Sequence, residues 1–190
     1  MSAERLHLVR HAAPAITPDQ APGNWPLSAE ASVAELTGAG VLPADATWFT
    51  SPEPKARQTA ALLTDAERQV LAALAETGRS PQLLAEQEFL DSVVSYLTDG
   101  QAPEGWEPRV EATVRIVDGA LAAMAMSPGS DCVLVGHGTA FTLLVAALVG
   151  QPPDAGAWRT MRMPDYCRLE ARANGAFDLV MPWGGWAQGC

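Results

Sequence analysis

Two histidines follow apolar runs at points where strands are expected to end. His11 comes after the run 6–9, with Arg10 directly before it, and His137 comes after the run 132–135, between two glycines. The carboxyl ends of parallel strands share one edge of a sheet, where open α/β sheets bind ligands. A single histidine at a strand end is more often an ordinary polar residue. Two such histidines, one of them directly after an arginine, predict an anion-binding crevice.

The elements that must position these residues alternate between strands and helices. Apolar runs predict strands at 6–9, 47–50 and 132–135, and helical patterns follow at 29–40, 55–63, 65–74 and 139–149. Asn174-Gly175 lies between two β-prone runs and predicts a closing hairpin. This order predicts an α/β fold with a mostly parallel sheet and an antiparallel edge.

The segment 82–105 is polar and mixed, and it predicts a helical excursion that could act as a lid. A long helix should follow it. Its apolar residues are spaced 4-3-4-3, which predicts that they form one buried face. The residues of that face are Val110, Val114, Val117, Leu121 and Met124.

Composition limits the class of protein. The 190 residues are 48% apolar and 18% charged, which is typical of one globular domain spanning 1–190. Twelve basic and 22 acidic residues give a net charge of −10, which argues against nucleic-acid binding and against docking on anionic membranes. No apolar run reaches the ~18 residues of a spanning helix. An N-terminus without signal-peptide features and three scattered cysteines predict a cytoplasmic protein.

Four short motifs occur in an informative order. They are Leu8-Val9-Arg10-His11-Ala12, Trp25-Pro26-Leu27-Ser28, the stretch 51–60 and Val135-Gly136-His137-Gly138. Together they resemble the histidine phosphatase superfamily, also called the phosphoglycerate mutase-like family. The resemblance spans the chain from the first strand to residue 149. We therefore expect a three-layer sandwich with helices on both faces of the sheet.

The resemblance implies a mechanism. His11 would attack phosphorus and form a phosphohistidine, while Arg10 and His137 would hold the phosphoryl oxygens. Only a neutral imidazole has the attacking lone pair, so the other ring nitrogen should donate to a backbone carbonyl. The implied substrate is a small phosphomonoester. No metal or other cofactor is expected, because the positive charge comes from the protein.

The second phosphate-binding cation can be placed in two ways. Alignment on Gln58-Thr59-Ala60 puts Lys55, the only lysine, at the family's phosphate-binding position. Arg57 then falls in the variable position, about 200° around the helix. The alternative is a solvated Lys55 with Arg57 turned inward.

The proton donor to the leaving group should be an acidic residue between the second and fourth motifs. The candidates are Glu76, Glu86, Glu88 and Asp91. The stretch 74–81 resembles a Leu-x-Glu-x-x-Arg-Pro form found in some members, which favours Glu76, with Glu88 second. This role requires a carboxyl group whose pKa is raised by burial.

The activity expected from these features is a phosphatase that uses His11, Glu76 and His137 for catalysis and Arg10, Lys55 and His137 to bind phosphate. One alternative is a phosphotransferase of the phosphoglycerate mutase type. Another is a catalytically silent member that binds phosphate compounds or a protein partner.

Overall fold

The computed structural model describes residues 5–80 and 84–188. Its strands are β1 (Arg5–Arg10), β2 (Ala46–Thr50), β3 (Arg68–Val70), β4 (Asp131–Gly136), β5 (Asp165–Ala171) and β6 (Phe177–Met181). Its helices are α1 (Ala34–Gly38), α2 (Pro54–Leu63), α3 (Glu86–Thr98), α4 (Arg109–Ala125), α5 (Gly138–Val149) and α6 (Ala155–Thr160). Three short 3₁₀ turns cover Pro22–Asn24, Ala72–Leu74 and Gly185–Gln188. The N-terminal residues 1–4, the start of the predicted lid at 82–83 and Cys190 lie outside the described residues.

The six strands form one mixed sheet in the order β3-β2-β4-β1-β5-β6. Strands β3, β2, β4 and β1 are parallel to one another, whereas β5 pairs antiparallel with β1, and β6 pairs antiparallel with β5 at the edge. The predicted α/β fold with an antiparallel edge is confirmed. Strands β1 and β4 are adjacent, so the residues after them, His11 and His137, lie at the same edge of the sheet.

Helices cover both faces of this sheet, which gives three layers. Leu6 and Leu8 of β1 face a large core shared with α3, α4, α5 and α6. Val9, on the opposite face of the same strand, packs in a smaller core with α1 and α2. The expected three-layer architecture is therefore confirmed.

Helix α4 buries a different face from the predicted one. Val110, Val114 and Leu121 are exposed, and the buried residues are mostly small: Ala112, Ile116, Gly119, Ala120, Ala123 and Met124. The reason is a close approach to the 3₁₀ turn Ala72–Leu74. A Cβ built on Gly119 would lie 2.5 Å from the Cβ of Ala73, so only glycine fits there. Close packing of backbones selects the small face rather than the most apolar one.

Two other elements of the structure differ from the elements predicted from the sequence. The helix predicted to begin at Ala29 begins at Ala34, because the Ser28 hydroxyl accepts the Glu30 N–H in a local turn. The segment 65–74, predicted as helix, contains β3 and a 3₁₀ turn. Arg68 to Val70 pair with β2, and this tertiary pairing outweighs local helix propensity.

The excursion 84–105 contains α3, and the C-terminal segment folds back onto the sheet. The indole N–H of Trp186 donates to Asp165 at 2.7 Å, and both side chains are buried. None of the described helices combines the length and hydropathy required to cross a bilayer.

Candidate active site

His11 lies at the end of β1 with its reactive nitrogen fixed by the backbone. Its Nδ1 lies 2.7 Å from the carbonyl oxygen of Ala12. Because a carbonyl can only accept, Nδ1 carries the proton and Nε2 keeps its lone pair. Burial, reinforced by the charges of Arg10 and Lys55, lowers the pKa of His11 to about 4. The imidazole is therefore neutral near pH 7, as the sequence predicts for a nucleophile.

His137 is the N-cap residue of α5 and lies next to His11, with 5.2 Å between the two ring centroids. Its Nε2 lies 2.7 Å from the Ser51 hydroxyl and 3.4 Å from Oε1 of Glu53. Its Nδ1 is buried and has no hydrogen-bond partner among the described residues. Burial and the neighbouring His11 and Lys55 lower the pKa of His137 well below its ordinary value. Both imidazoles are therefore neutral.

Arg10 reaches the same crevice beside Gly138. Its Nη1 donates to the carbonyl of Met161 at 2.9 Å, whereas Nε is buried without a partner in the described part of the chain. A Cβ on Gly138 would lie 3.2 Å from that Nε. The glycine after His137 thus leaves room for the guanidinium next to the two histidines.

Lys55, and not Arg57, faces the crevice. The Lys55 side chain is buried, and its Nζ donates to the Pro22 carbonyl at 2.7 Å and to Oε2 of Glu53 at 2.5 Å. Arg57 is exposed on the other side of α2. The charge of Lys55 lies close enough to lower the pKa of both site histidines.

Glu76 also reaches the crevice, where its carboxylate is held by several donors. It accepts the N–H groups of Thr77 and Ala140 at 2.9 Å and that of Thr139 at 3.3 Å, and Nη2 of Arg79 is 3.3 Å away. Burial alone would raise the pKa of Glu76, but Arg79 and the three N–H donors outweigh it and lower the pKa. The raised pKa expected of a proton donor is not found in this arrangement.

The other acidic candidates lie away from the histidines. Glu86 and Glu88 are exposed in the first turn of α3, and Asp91 is exposed and paired with Arg159. Glu76 is thus the one of the four candidates that contacts the N-terminus of α5 beside His137.

Two charged residues of the site were not identified from the sequence. Glu53 contacts both Lys55 and His137, and Arg79 lies between the rings of Phe89 and Trp106, at 4.8 and 4.9 Å from their centroids. The position of Arg79 in the segment 74–81 was a usable signal. Glu53 had none, because it follows a proline in an ordinary helix start.

The loop after His11 is held by side chains of α2. The Thr59 hydroxyl accepts the Ala12 N–H at 2.9 Å, and the Gln58 side-chain oxygen accepts the Leu27 N–H at 2.6 Å. The Gln-Thr pair therefore fixes both ends of this loop, including the residue whose carbonyl orients His11.

A family model of the histidine phosphatase superfamily (branch 1) matches residues 6–180. The chain belongs to this superfamily. The match includes the segments of all four motifs, and the histidines of the first and last motifs, His11 and His137, are the pair whose rings lie 5.2 Å apart in an edge-to-face arrangement.

Several solved structures share the fold of this member of the histidine phosphatase superfamily. Bacillus stearothermophilus YhfR has a TM-score of 0.75 at 18% identity, over 96% of this chain and 97% of that one. A mycobacterial glucosyl-3-phosphoglycerate phosphatase has a TM-score of 0.73 at 22% identity, over 94% and 98%. An Escherichia coli protein described as a candidate α-ribazole-5′-P phosphatase has a TM-score of 0.67 at 21% identity, over 96% and 97%. A comparison with curated protein sequences gives no match.

Proposed function

We propose that this superfamily member is a metal-independent phosphatase that hydrolyses a small phosphomonoester through a phosphohistidine on Nε2 of His11. One observation carries the proposal. The Nδ1–H of His11 is bound to the Ala12 carbonyl, which leaves the Nε2 lone pair available. In the same crevice, Nε of Arg10 and Nδ1 of His137 are buried and have no partner among the described residues. Similar structures that carry phosphatase names support the same class of reaction.

The chemistry follows from these positions. In the first step Nε2 of His11 attacks phosphorus, and the bond to the leaving oxygen breaks. Arg10, Lys55 and His137 stabilise the equatorial oxygens, on which charge is spread in the transition state. In the second step water attacks phosphorus, the bond between phosphorus and Nε2 of His11 breaks, and phosphate leaves. We expect this to take place in the cytoplasm, with no nucleic acid or membrane as a partner.

The experiment is hydrolysis of 4-nitrophenyl phosphate without added metal, by the wild type and by His11→Ala, from pH 5 to 7.5. We expect turnover in the wild type and its loss in the variant, together with a covalent adduct of one phosphate on His11 in rapidly quenched wild-type samples. Equal turnover in both proteins would exclude His11 as the nucleophile. Binding of inorganic phosphate without turnover of any phosphomonoester would instead indicate a silent member.

A further inference from the structure

Glu53 places a second carboxylate inside the proposed phosphate site. Its Oε2 lies 2.5 Å from Nζ of Lys55, and its Oε1 accepts the backbone N–H of Glu76 at 2.8 Å. The same Oε1 lies 3.4 Å from Nε2 of His137. The side chain is only 13% exposed. A negative charge beside the residues that should bind an anion requires an explanation.

The two carboxylates of the site differ in how firmly they are held. Glu76 accepts three backbone N–H groups and lies next to Arg79. Glu53 accepts one backbone N–H, and its cation is Lys55. Because Lys55 is also the cation proposed to bind phosphate, Glu53 would have to share its partner once phosphate arrives.

The charges around Glu53 come from several elements. The neutral imidazole of His137, at the end of β4, lies against Glu53, and Arg79 is already paired with Glu76. The positive charge left for Glu53 and a bound phosphate comes mainly from two side chains. They are Lys55 on α2 and Arg10 at the end of β1. A phosphate dianion next to an ionised carboxylate is strongly disfavoured at this charge balance, and like-charged groups in one site relieve the repulsion by sharing a proton.

We propose that the site binds the phosphoryl group together with one proton, which lies in a hydrogen bond shared between a phosphoryl oxygen and the Glu53 carboxylate. The inference rests on the proposed function only in that the site binds phosphate. According to this inference, Glu53 determines which ionic form of the substrate is bound.

The same proton has a place in the reaction. As the bond between phosphorus and His11 Nε2 forms and the bond to the leaving oxygen breaks, the shared proton passes to that oxygen and an alcohol leaves. When water attacks phosphorus, the bond to Nε2 breaks and one water proton returns to the Glu53 carboxylate. Phosphate then departs with that proton as the monoanion, so charge and atoms balance over the cycle.

The test is calorimetric titration with inorganic phosphate at pH 8, in two buffers of different ionisation enthalpy, which counts the protons taken up on binding. We expect about one proton for the wild type and none for Glu53→Gln. Between pH 7.5 and 8.5 the wild-type affinity should fall by about tenfold per pH unit, whereas that of Glu53→Gln should change little. Glu67→Gln, at an exposed glutamate before β3, should behave as the wild type.

The contrary outcomes are distinct. Proton uptake that persists in Glu53→Gln would place the proton on a histidine and overturn the inference, as would the absence of proton uptake in the wild type. If the wild type also hydrolyses 4-nitrophenyl phosphate, either of these two results overturns only the inference about Glu53 and leaves the proposed phosphatase function intact. A third result is possible, in which phosphate binding takes up a proton that depends on Glu53 but no phosphomonoester is turned over. That result would support the inference about Glu53 and overturn the proposal that the protein is a phosphatase.

Discussion

Lys55 and Arg57 are two basic residues on one helix, but only Lys55 is buried against the crevice. We expect Lys55→Met to weaken inorganic phosphate binding at least tenfold, because one charge-assisted contact contributes about 1.5–3 kcal/mol. Arg57→Met is the matched control and should change the affinity less than about twofold. Calorimetric titration measures both. A larger effect of the Arg57 substitution would restore the alternative in which Arg57 turns inward.

The roles of Glu53 and Glu76 in protonating the leaving group can be distinguished with substrates whose leaving groups differ in their need for a proton. Glu53→Gln should reduce kcat/KM for an alkyl phosphate at least about tenfold more than for 4-nitrophenyl phosphate, whose phenolate leaves without protonation. Glu76→Gln should reduce both substrates alike, because Glu76 anchors Arg79 and the N-terminus of α5. If Glu76→Gln instead shows the leaving-group dependence, Glu76 donates the proton, as the family resemblance implies.

The residues of the site differ in how well the sequence reveals them. His11, His137 and Arg10 stand at the ends of predicted strands, so local spacing is enough to predict that they lie at one edge of the sheet, whereas Lys55 is placed there only by the resemblance to the superfamily motif. Glu53 enters the site because of its tertiary contacts with Lys55 and His137. A local pattern carries no information about such contacts.

At the scale of elements, the segment that carries Glu76 is held in place by α4. Arg115 of α4 binds Glu107 through two hydrogen bonds of 2.8 and 2.7 Å and donates to the carbonyls of Ala73 and Ala75. Glu107 in turn accepts the Gly78 N–H at 2.9 Å. This network fixes both sides of Glu76 from a neighbouring helix.

We expect Arg115→Met to lower the thermal midpoint by several degrees, because it leaves partly buried carbonyls and a carboxylate without donors, at a cost of about 1–3 kcal/mol. It should also lower kcat/KM by displacing Glu76. Arg172→Met is the matched control, since the Arg172–Asp178 pair is exposed and solvent screening leaves it little effect on stability. Equal shifts in the two variants, measured by calorimetry, would show that the network does not hold the segment.

The elements themselves show where sequence patterns are sufficient. The runs 6–9 and 132–135 are β1 and β4 because a continuous apolar run fits a strand that is buried on both faces. The face of α4 was predicted wrongly, because Gly119 and its small neighbours face inward where Ala73 comes close. Hydrophobic periodicity carries no information about how closely the backbones of two elements approach each other.

Over the whole molecule, three buried histidines couple stability to pH. Burial lowers the pKa of His7 and of His11 to about 4, and it lowers the pKa of His137 well below its ordinary value. Below about pH 6.5 the unfolded chain binds protons at these side chains, whereas the folded chain does not bind them at His7 and His11 until about pH 4. The unfolded state therefore holds more protons in this window, and the free energy of unfolding decreases as pH falls from 6.5 towards 4.

Substitution of His7 tests this pH dependence of stability without changing a residue of the candidate active site. It lies within β1, where its ring contacts Tyr166 and Asp131 rather than the crevice. A shift from 6.5 to about 4 corresponds to a loss of on the order of 3 kcal/mol across the window. We expect urea unfolding to give a decline between pH 7 and 4.5 that is shallower in His7→Gln than in the wild type, with phosphatase activity retained at pH 7. The same slope in both proteins would show that other groups, such as paired carboxylates, carry the acid sensitivity.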